Sequence, residues 1–207
     1  MIGLFGGTFD PVHLGHLRPV LEVHETMSFQ QVRWIPSRLP PHRGQPEVSV
    51  AHRLAMLKLA LEGTSFVIDE RELERPGPSY MIDTLKSLRH DYPSQSFALI
   101  LGTDAFKGLP GWHRWEQLFD YAHIIVCTRP QSDNFKNSEL SKVVDQSKVN
   151  DLITLRQHHH GKIFFLPVTQ LDISATHIRE ICKSGKSPRF LLPARVSDYI
   201  DQHQLYQ

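Results

Sequence analysis

Two histidines three positions apart, His13 and His16, follow a glycine pair, Gly6-Gly7, and an apolar run from Ile2 to Phe5. At helical spacing both imidazoles share one face. Adjacent glycines carry no Cβ, so the N–H groups of Gly7, Thr8 and Phe9 can approach an anion closely. Strand, glycine turn and helix start, in that order, is how a parallel sheet builds a phosphate site, and the imidazoles imply that the phosphate is reacted as well as held. Asp10 and Pro11 read locally, as the cap and first residue of the coming helix. Far downstream, Ser174 and Thr176 open a second helical segment, with Arg179 about one turn after Thr176. Taken singly, Ser174 is an ordinary N-cap and Arg179 a surface charge. Paired with the histidine loop, hydroxyls, helix-start N–H groups and a guanidinium together make a polyphosphate site. The chain lacks the Gly-x-x-x-x-Gly-Lys-Ser/Thr loop and shows no serine or cysteine nucleophile with an ordered base, which disfavours kinase and covalent hydrolase chemistry.

Positioning these groups falls to an alternation of short apolar runs with amphipathic ones, which predicts an α/β fold with a doubly wound, mainly parallel sheet. The predicted strands are Ile2 to Phe5, Val32 to Pro36, Phe66 to Asp69, Phe97 to Leu101, Ile124 to Cys127 and Ile163 to Leu166. The predicted helices cover Gly15 to Met27, Val50 to Glu62, Ser79 to His90, Trp115 to Phe119, Ser174 to Ser184 and Ala194 to His203. Leu54, Leu57 and Leu61 mark one buried stripe, and Met81, Leu85 and Leu88 another. The polar stretch 130–160 interrupts the rhythm and reads as an insertion with one helix around Ser138 to Leu152. His158-His159-His160 reads as a solvated turn, since consecutive side chains do not converge on one ion.

A length of 207 residues with 40% hydrophobic content suits one domain spanning 1–207. Lys and Arg number 23 against 22 Asp and Glu, a net charge of +1 that offers no broad footprint for nucleic acid or a membrane surface. Cys127 and Cys182 have neither metal-ligand nor disulfide spacing and are expected buried and reduced. Without a basic leader or a long apolar segment, the expected location is cytoplasmic.

The stretch Val12-His13-Leu14-Gly15-His16 resembles the (T/H)xGH signature of nucleotidylyltransferases, and Ile173-Ser174-Ala175-Thr176-His177-Ile178-Arg179 is similar to their ISSTxIR motif. More narrowly, Gly6 to Pro11, Pro40-Pro41-His42-Arg43, Asp69-Glu70-Arg71-Glu72, Pro78-Ser79-Tyr80 and Gly111-Trp112-His113 resemble the bacterial nicotinate-nucleotide adenylyltransferases. The resemblance spans nearly the whole chain and implies a Rossmann-like nucleotidylyltransferase fold. It implies adenylyl transfer from ATP to nicotinate mononucleotide, giving deamido-NAD and pyrophosphate. Related readings are a transferase for nicotinamide mononucleotide or phosphopantetheine, and a nucleotide sensor without turnover.

On that reading His16 is the principal contact to the reacting phosphate and His13 assists, while Gly6, Gly7, Thr8 and Phe9 hold phosphate. Ser174, Thr176 and Arg179 take the β and γ phosphates. Mg²⁺ arrives with ATP and is held by phosphates and water, because no carboxylate cluster is apparent. The resemblance places His42 and Arg43 near the nucleotide phosphates; a rigid surface turn is the other reading of His42. Ser79, Tyr80 and Met81 start a helix whose N–H groups can receive a nicotinate carboxylate. Met81 stands where the family pattern has Thr, which removes a side-chain hydroxyl and keeps the backbone donor. Trp112, next to His113, can stack on the pyridine ring. Gly102 and Asp104 follow a strand where a ribose could bind, and Asp104 reads equally as a helix cap.

Overall fold

Alternation along the strands assigns side chains to two faces of one sheet. Leu4, Ile35, Phe97, Leu99, Ile124 and Val126 pack into one apolar layer, whereas Trp34, Ala98, Ile100, Ile125 and Cys127 pack into the other. Strands apolar on both faces require helices on both, which is the parallel α/β solution. The computed structural model describes residues 1–41, 44–128 and 139–207.

In chain order the elements are β1 (Ile2–Gly7), α1 (Leu14–Met27), β2 (Gln31–Pro36), α2 (Val50–Leu61), β3 (Val67–Ile68), α3 (Arg71–Glu74) and α4 (Met81–Asp91). There follow β4 (Phe97–Gly102), α5 (Thr103–Lys107), 3-10 turns at Leu109–Gly111 and Trp115–Asp120, β5 (His123–Thr128), α6 (Glu139–Ser147), β6 (Lys148–Val149), α7 (Leu152–Arg156), β7 (Ile163–Pro167), α8 (Ala175–Lys183) and α9 (Ala194–Gln202). The seven strands run parallel in the order β3-β2-β1-β4-β5-β7-β6. Strand order therefore reverses between β1 and β4, the switch point at which open α/β sheets leave a crevice beyond their carboxyl ends.

Several expectations change. Gly6 and Gly7 do not form a turn: they complete β1 and pair with Ile35 and Pro36 of β2. Asp10 does not cap α1. His13 holds the N-cap position, and Asp10 precedes a cis bond to Pro11 with its side chain turned into the interior. Tertiary partners for a buried carboxylate outweigh the local capping preference. Helix α4 begins at Met81 rather than Ser79, since Tyr80 is its cap. In the 130–160 stretch, residues 129–138 lie outside the described part, and the single predicted helix is two short ones separated by β6, an edge strand paired with β7.

The histidine triplet is a turn tied to backbone: His158, His159 and His160 bond the carbonyls of Thr154, Ser94 and Phe119 at 2.9, 3.1 and 3.0 Å. Beneath it His123 is fully buried, its Nε2 3.1 Å from the His158 carbonyl and its Nδ1 accepting the Lys162 N–H at 3.2 Å. Burial lowers its pKa from 6.5 to about 4. The unfolded chain therefore protonates His123 first as pH falls, and the stability this residue contributes, on the order of 3 kcal/mol, drains between about pH 6.5 and 4. His123→Gln keeps an acceptor and a donor and cannot titrate; urea unfolding at pH 7 and pH 4.5 should show a smaller loss for this variant than for wild type. An equal loss would contradict the assignment.

Candidate active site

The loops after β1, β2 and β4 and the start of α8 enclose a cleft of about 1350 Å³, lined among others by Gly6, Thr8, His16, Tyr80, Trp112 and Arg179. This exceeds the usual volume of a single small-ligand pocket and has room for two nucleotides.

His16 is half-buried on the first turn of α1 and lines the cleft. Its ring stacks on His13 at 3.7 Å between centroids and meets the edges of Phe9 and Phe5 at 5.4 and 6.1 Å. Its Nδ1 accepts the His13 N–H at 3.3 Å, which puts the proton of a neutral imidazole on Nε2 and makes that nitrogen a donor. His13 itself is not in the cleft wall. It is buried behind His16, and burial lowers its pKa to about 4. There it backs the His16 ring as a neutral group.

Gly15 explains the glycine between them. A Cβ there would lie 3.0 Å from His13 Nδ1 and 3.0 Å from the Ile173 carbonyl, so the two sequence motifs pack directly on each other at this point. At Gly6 a Cβ would meet Met81 Cε at 2.8 Å, which shows Met81 lying across the end of β1. Phe9 has a left-handed backbone, φ 50°, and a buried ring against Phe5 and Trp34, so only its main chain is available to a ligand.

At the far end, Ser174 caps α8 by accepting the His177 N–H at 3.2 Å. Arg179 donates to Glu47 Oε1 at 2.8 Å, to the Asp10 carbonyl at 2.8 Å and to Thr176 Oγ at 3.5 Å. Lys183 Nζ lies 2.8 Å from the other Glu47 oxygen. Lys183 and then Arg179 hold the Glu47 carboxyl below the usual carboxylate range. Ser174, Thr176 and Arg179 all line the cleft, together with Glu47.

Buried charges stitch the loops together. Arg53, 1% exposed, donates to the carbonyls of Thr8 at 2.7 Å and Ser37 at 2.8 Å, joining the loops after β1 and β2. The Asp10 carboxylate accepts the Glu47 N–H at 2.8 Å and the Tyr206 O–H at 2.7 Å. Sequence reading missed Arg53, Glu47 and Tyr206. Arg53 alone carries a signal, one turn before Leu57 on an otherwise apolar stripe.

At the β4 side, Gly102 caps α5 and a Cβ on it would meet nothing within 4 Å, so the cleft is open there. Asp104 is not the cap but the second residue of that helix. Trp112 and His113 line the cleft, and the His113 ring packs on Tyr80 at 4.4 Å. Ser79 is occupied: its Oγ accepts the Arg38 N–H at 2.9 Å, and its own N–H donates to Leu39. The Tyr80 N–H also differs from expectation, donating to the Pro78 carbonyl at 3.1 Å. Helix geometry leaves the amides of Met81 and Ile82 without an intrahelical acceptor, and these are the donors at the start of α4.

The Asp69 to Glu72 motif supports that helix start. Burial raises the Asp69 pKa, but Arg71 and Arg33, at 2.8 and 2.9 Å, bring it below the ordinary value. Glu72 is buried and accepts the Thr84 O–H at 2.6 Å, and burial pushes its carboxyl up. Burial also pushes the Cys127 thiol up to about 12, so it offers no thiolate. His42 and Arg43 lie outside the described residues. Among the described residues no three His, Cys, Asp or Glu side chains group to hold a metal, and no helix is long and apolar enough to cross a membrane.

The model of the cytidylyltransferase-like family matches residues 4–181. A Pseudomonas fluorescens protein named "Probable nicotinate-nucleotide adenylyltransferase" is 49% identical over 100% of this chain and 97% of its own length. One of the same name from Methylococcus capsulatus is 46% identical over 100% and 99%. The Plasmodium falciparum nicotinic acid mononucleotide adenylyltransferase complexed with NaAD shares the fold, with a TM-score of 0.72 at 17% identity over 99% of this chain and 96% of that one. Sequence motifs that meet in space at Gly15 and Ile173, and relatives matched end to end, agree: the chain belongs to the cytidylyltransferase-like family, and within it to the nicotinate-nucleotide adenylyltransferases.

Proposed function

We propose that this chain joins ATP and nicotinate mononucleotide to give deamido-NAD and pyrophosphate. The observation that carries the reading is the convergence of His16 and Arg179 on one cleft at the β1/β4 switch point. The 17% identical relative of the same fold was solved with NaAD.

The reaction is assigned as a direct in-line displacement. A phosphate monoester has its second pKa near ~6, so the mononucleotide phosphate is largely a dianion at neutral pH and needs no base. Its oxygen forms a bond to the α-phosphorus of ATP while the bond to the bridging oxygen breaks, and the electron pair leaves with pyrophosphate. Positioning and charge neutralisation are what remain for the protein to supply. The His16 Nε2–H and the main chain from Gly7 to Phe9 are assigned to the α-phosphate. Arg179, Thr176 and the start of α8 take the β and γ phosphates, with Lys183 beside them. Those phosphates take over from the Glu47 carboxylate, which now neutralises both cations. Mg²⁺ fits as a companion of ATP, held by phosphate oxygens and water, because the Asp10 carboxylate is already bonded to the Tyr206 hydroxyl and the Glu47 N–H. It would shield the leaving pyrophosphate.

Arg179→Ala removes a charge-assisted contact worth about 1.5–3 kcal/mol, so kcat/KM for ATP should fall roughly tenfold to a hundredfold while the KM for nicotinate mononucleotide changes little. Steady-state kinetics with each substrate varied decide this; equal losses on both would contradict the division. The function itself is tested by pyrophosphate release from ATP with nicotinate mononucleotide, nicotinamide mononucleotide or phosphopantetheine. Turnover with nicotinate mononucleotide is expected. Binding without turnover would make the chain a nucleotide sensor.

A further inference from the structure

We infer that Tyr206 is a positioning residue for the polyphosphate end of the cleft, acting through Asp10 on Arg179 and on the loop that carries Glu47. This rests on the reading that Arg179 meets the β and γ phosphates of ATP.

Tyr206 lies 196 positions from Asp10 in sequence, yet its hydroxyl donates to Asp10 Oδ1 at 2.7 Å, and both residues are 5% exposed. Asp10 has no idle polar atom on its side chain or carbonyl. Oδ2 takes the Glu47 N–H and the carbonyl takes Arg179, so one residue fixes the β1–α1 loop to the loop before α2 and to α8. The turn that delivers Tyr206 is held in an unusual shape: Gln204 and Tyr206 both have left-handed backbones, with φ 50° and 62°. Strain of this kind persists where the surroundings over-determine it, and the hydroxyl-to-carboxylate bond is what this turn gains.

Coupling to the phosphate end follows from charge. Without the hydroxyl, a buried carboxylate oxygen loses its donor, a costly state that the nearest cations relieve. Those cations are Arg53, committed to the Thr8 and Ser37 carbonyls, and Arg179, already 2.8 Å from the Asp10 carbonyl. Arg179 is the one with a ligand-facing task to lose. Tyr206 therefore keeps Asp10 satisfied and leaves Arg179 for phosphate. The pyridine end, built on the start of α4 and on Trp112, shares none of these bonds.

Tyr206→Phe keeps the ring in the core and removes only the hydroxyl. The KM for ATP is expected to rise at least roughly fivefold, with the KM for nicotinate mononucleotide and kcat changing less than about twofold. A merely structural role would lower thermal stability without dividing the substrates in this way. A second measurement uses the unaltered protein. Coupling between sites is reciprocal, so occupying the ATP site must tighten the Tyr206 turn. Hydrogen exchange at the Gln204 and Leu205 amides, which bond the Asp201 and Ile200 carbonyls, should slow with a non-hydrolysable ATP analogue and stay unchanged with nicotinate mononucleotide alone. An unchanged KM for ATP in Tyr206→Phe, equal losses for both substrates, or exchange indifferent to the analogue would each overturn the inference. Absence of turnover in wild type would instead strike the functional reading, and the exchange measurement would still decide the role of Tyr206.

Discussion

His16→Ala should lower kcat by roughly two to three orders of magnitude while leaving the fold and the KM values near wild type, the scale on which one transition-state charge stabiliser acts. The geometry makes the expectation specific. His16 lines the cleft, its Nδ1 is engaged by the His13 N–H, and its ring is wedged between His13, Phe9 and Phe5. A donor held this rigidly needs little reorganisation when charge builds on the α-phosphate. His13 is buried and neutral behind it, so His13 variants should act through stability and the placement of His16. Pre-steady-state and steady-state turnover of a folded His16→Ala variant checks this; near-wild-type kcat would remove His16 from the chemistry.

A preference for the acid over the amide substrate, at least roughly a hundredfold in kcat/KM, is the second large effect expected. Its origin is the start of α4, where the Met81 amide, on the cleft wall, stands at the positive end of the helix dipole. A carboxylate receives charge-assisted bonds there, whereas a carboxamide also brings an NH₂ group that faces donors and leaves polar groups unpaired. Glu72, which accepts the Thr84 O–H, and Arg75, which donates to the Tyr80 carbonyl and Thr84 Oγ, hold that helix start in place from below. Trp112, on the cleft wall, is expected to offer its ring to both substrates and to contribute little to the choice. Comparison of nicotinate and nicotinamide mononucleotides at saturating ATP measures the ratio. Comparable values would contradict the assignment, and loss of selectivity in Trp112→Ala would move acid recognition to that loop.

Local patterns made the sheet and much of the site legible. The continuous apolar run Phe97 to Leu101 marks a strand buried on both faces, and of the stripe Leu54, Leu57, Leu61 the last two are buried, with Arg53 and Met56 completing the inward face of α2 in place of Leu54. His16 stood out by its type and spacing beside the glycine pair, and Thr176 and Arg179 only through their pairing with that loop. What stayed hidden depends on contacts distant in sequence. Asp10 looks like a helix cap because Asp-Pro before a helix commonly is one, and only the fold brings it Tyr206, Glu47 and Arg179. Ser79 looks like a ligand donor until Arg38 and Leu39 are seen to use it. Lys148 and Val149 carry too little pattern to mark a strand; pairing with β7 makes them one.

Adenylyl transfer is assigned to the point where β1 and β4 part, with the α-phosphate expected against His16 and the pyridine at the start of α4. A crystal structure of the chain with deamido-NAD tests it most directly. The expected complex has the pyrophosphate bridge within hydrogen-bond reach of His16 Nε2 and the nicotinate carboxylate on the Met81 amide, with Trp112 against the ring. Product bound elsewhere, or bound in this cleft with its bridge away from His16, would contradict it.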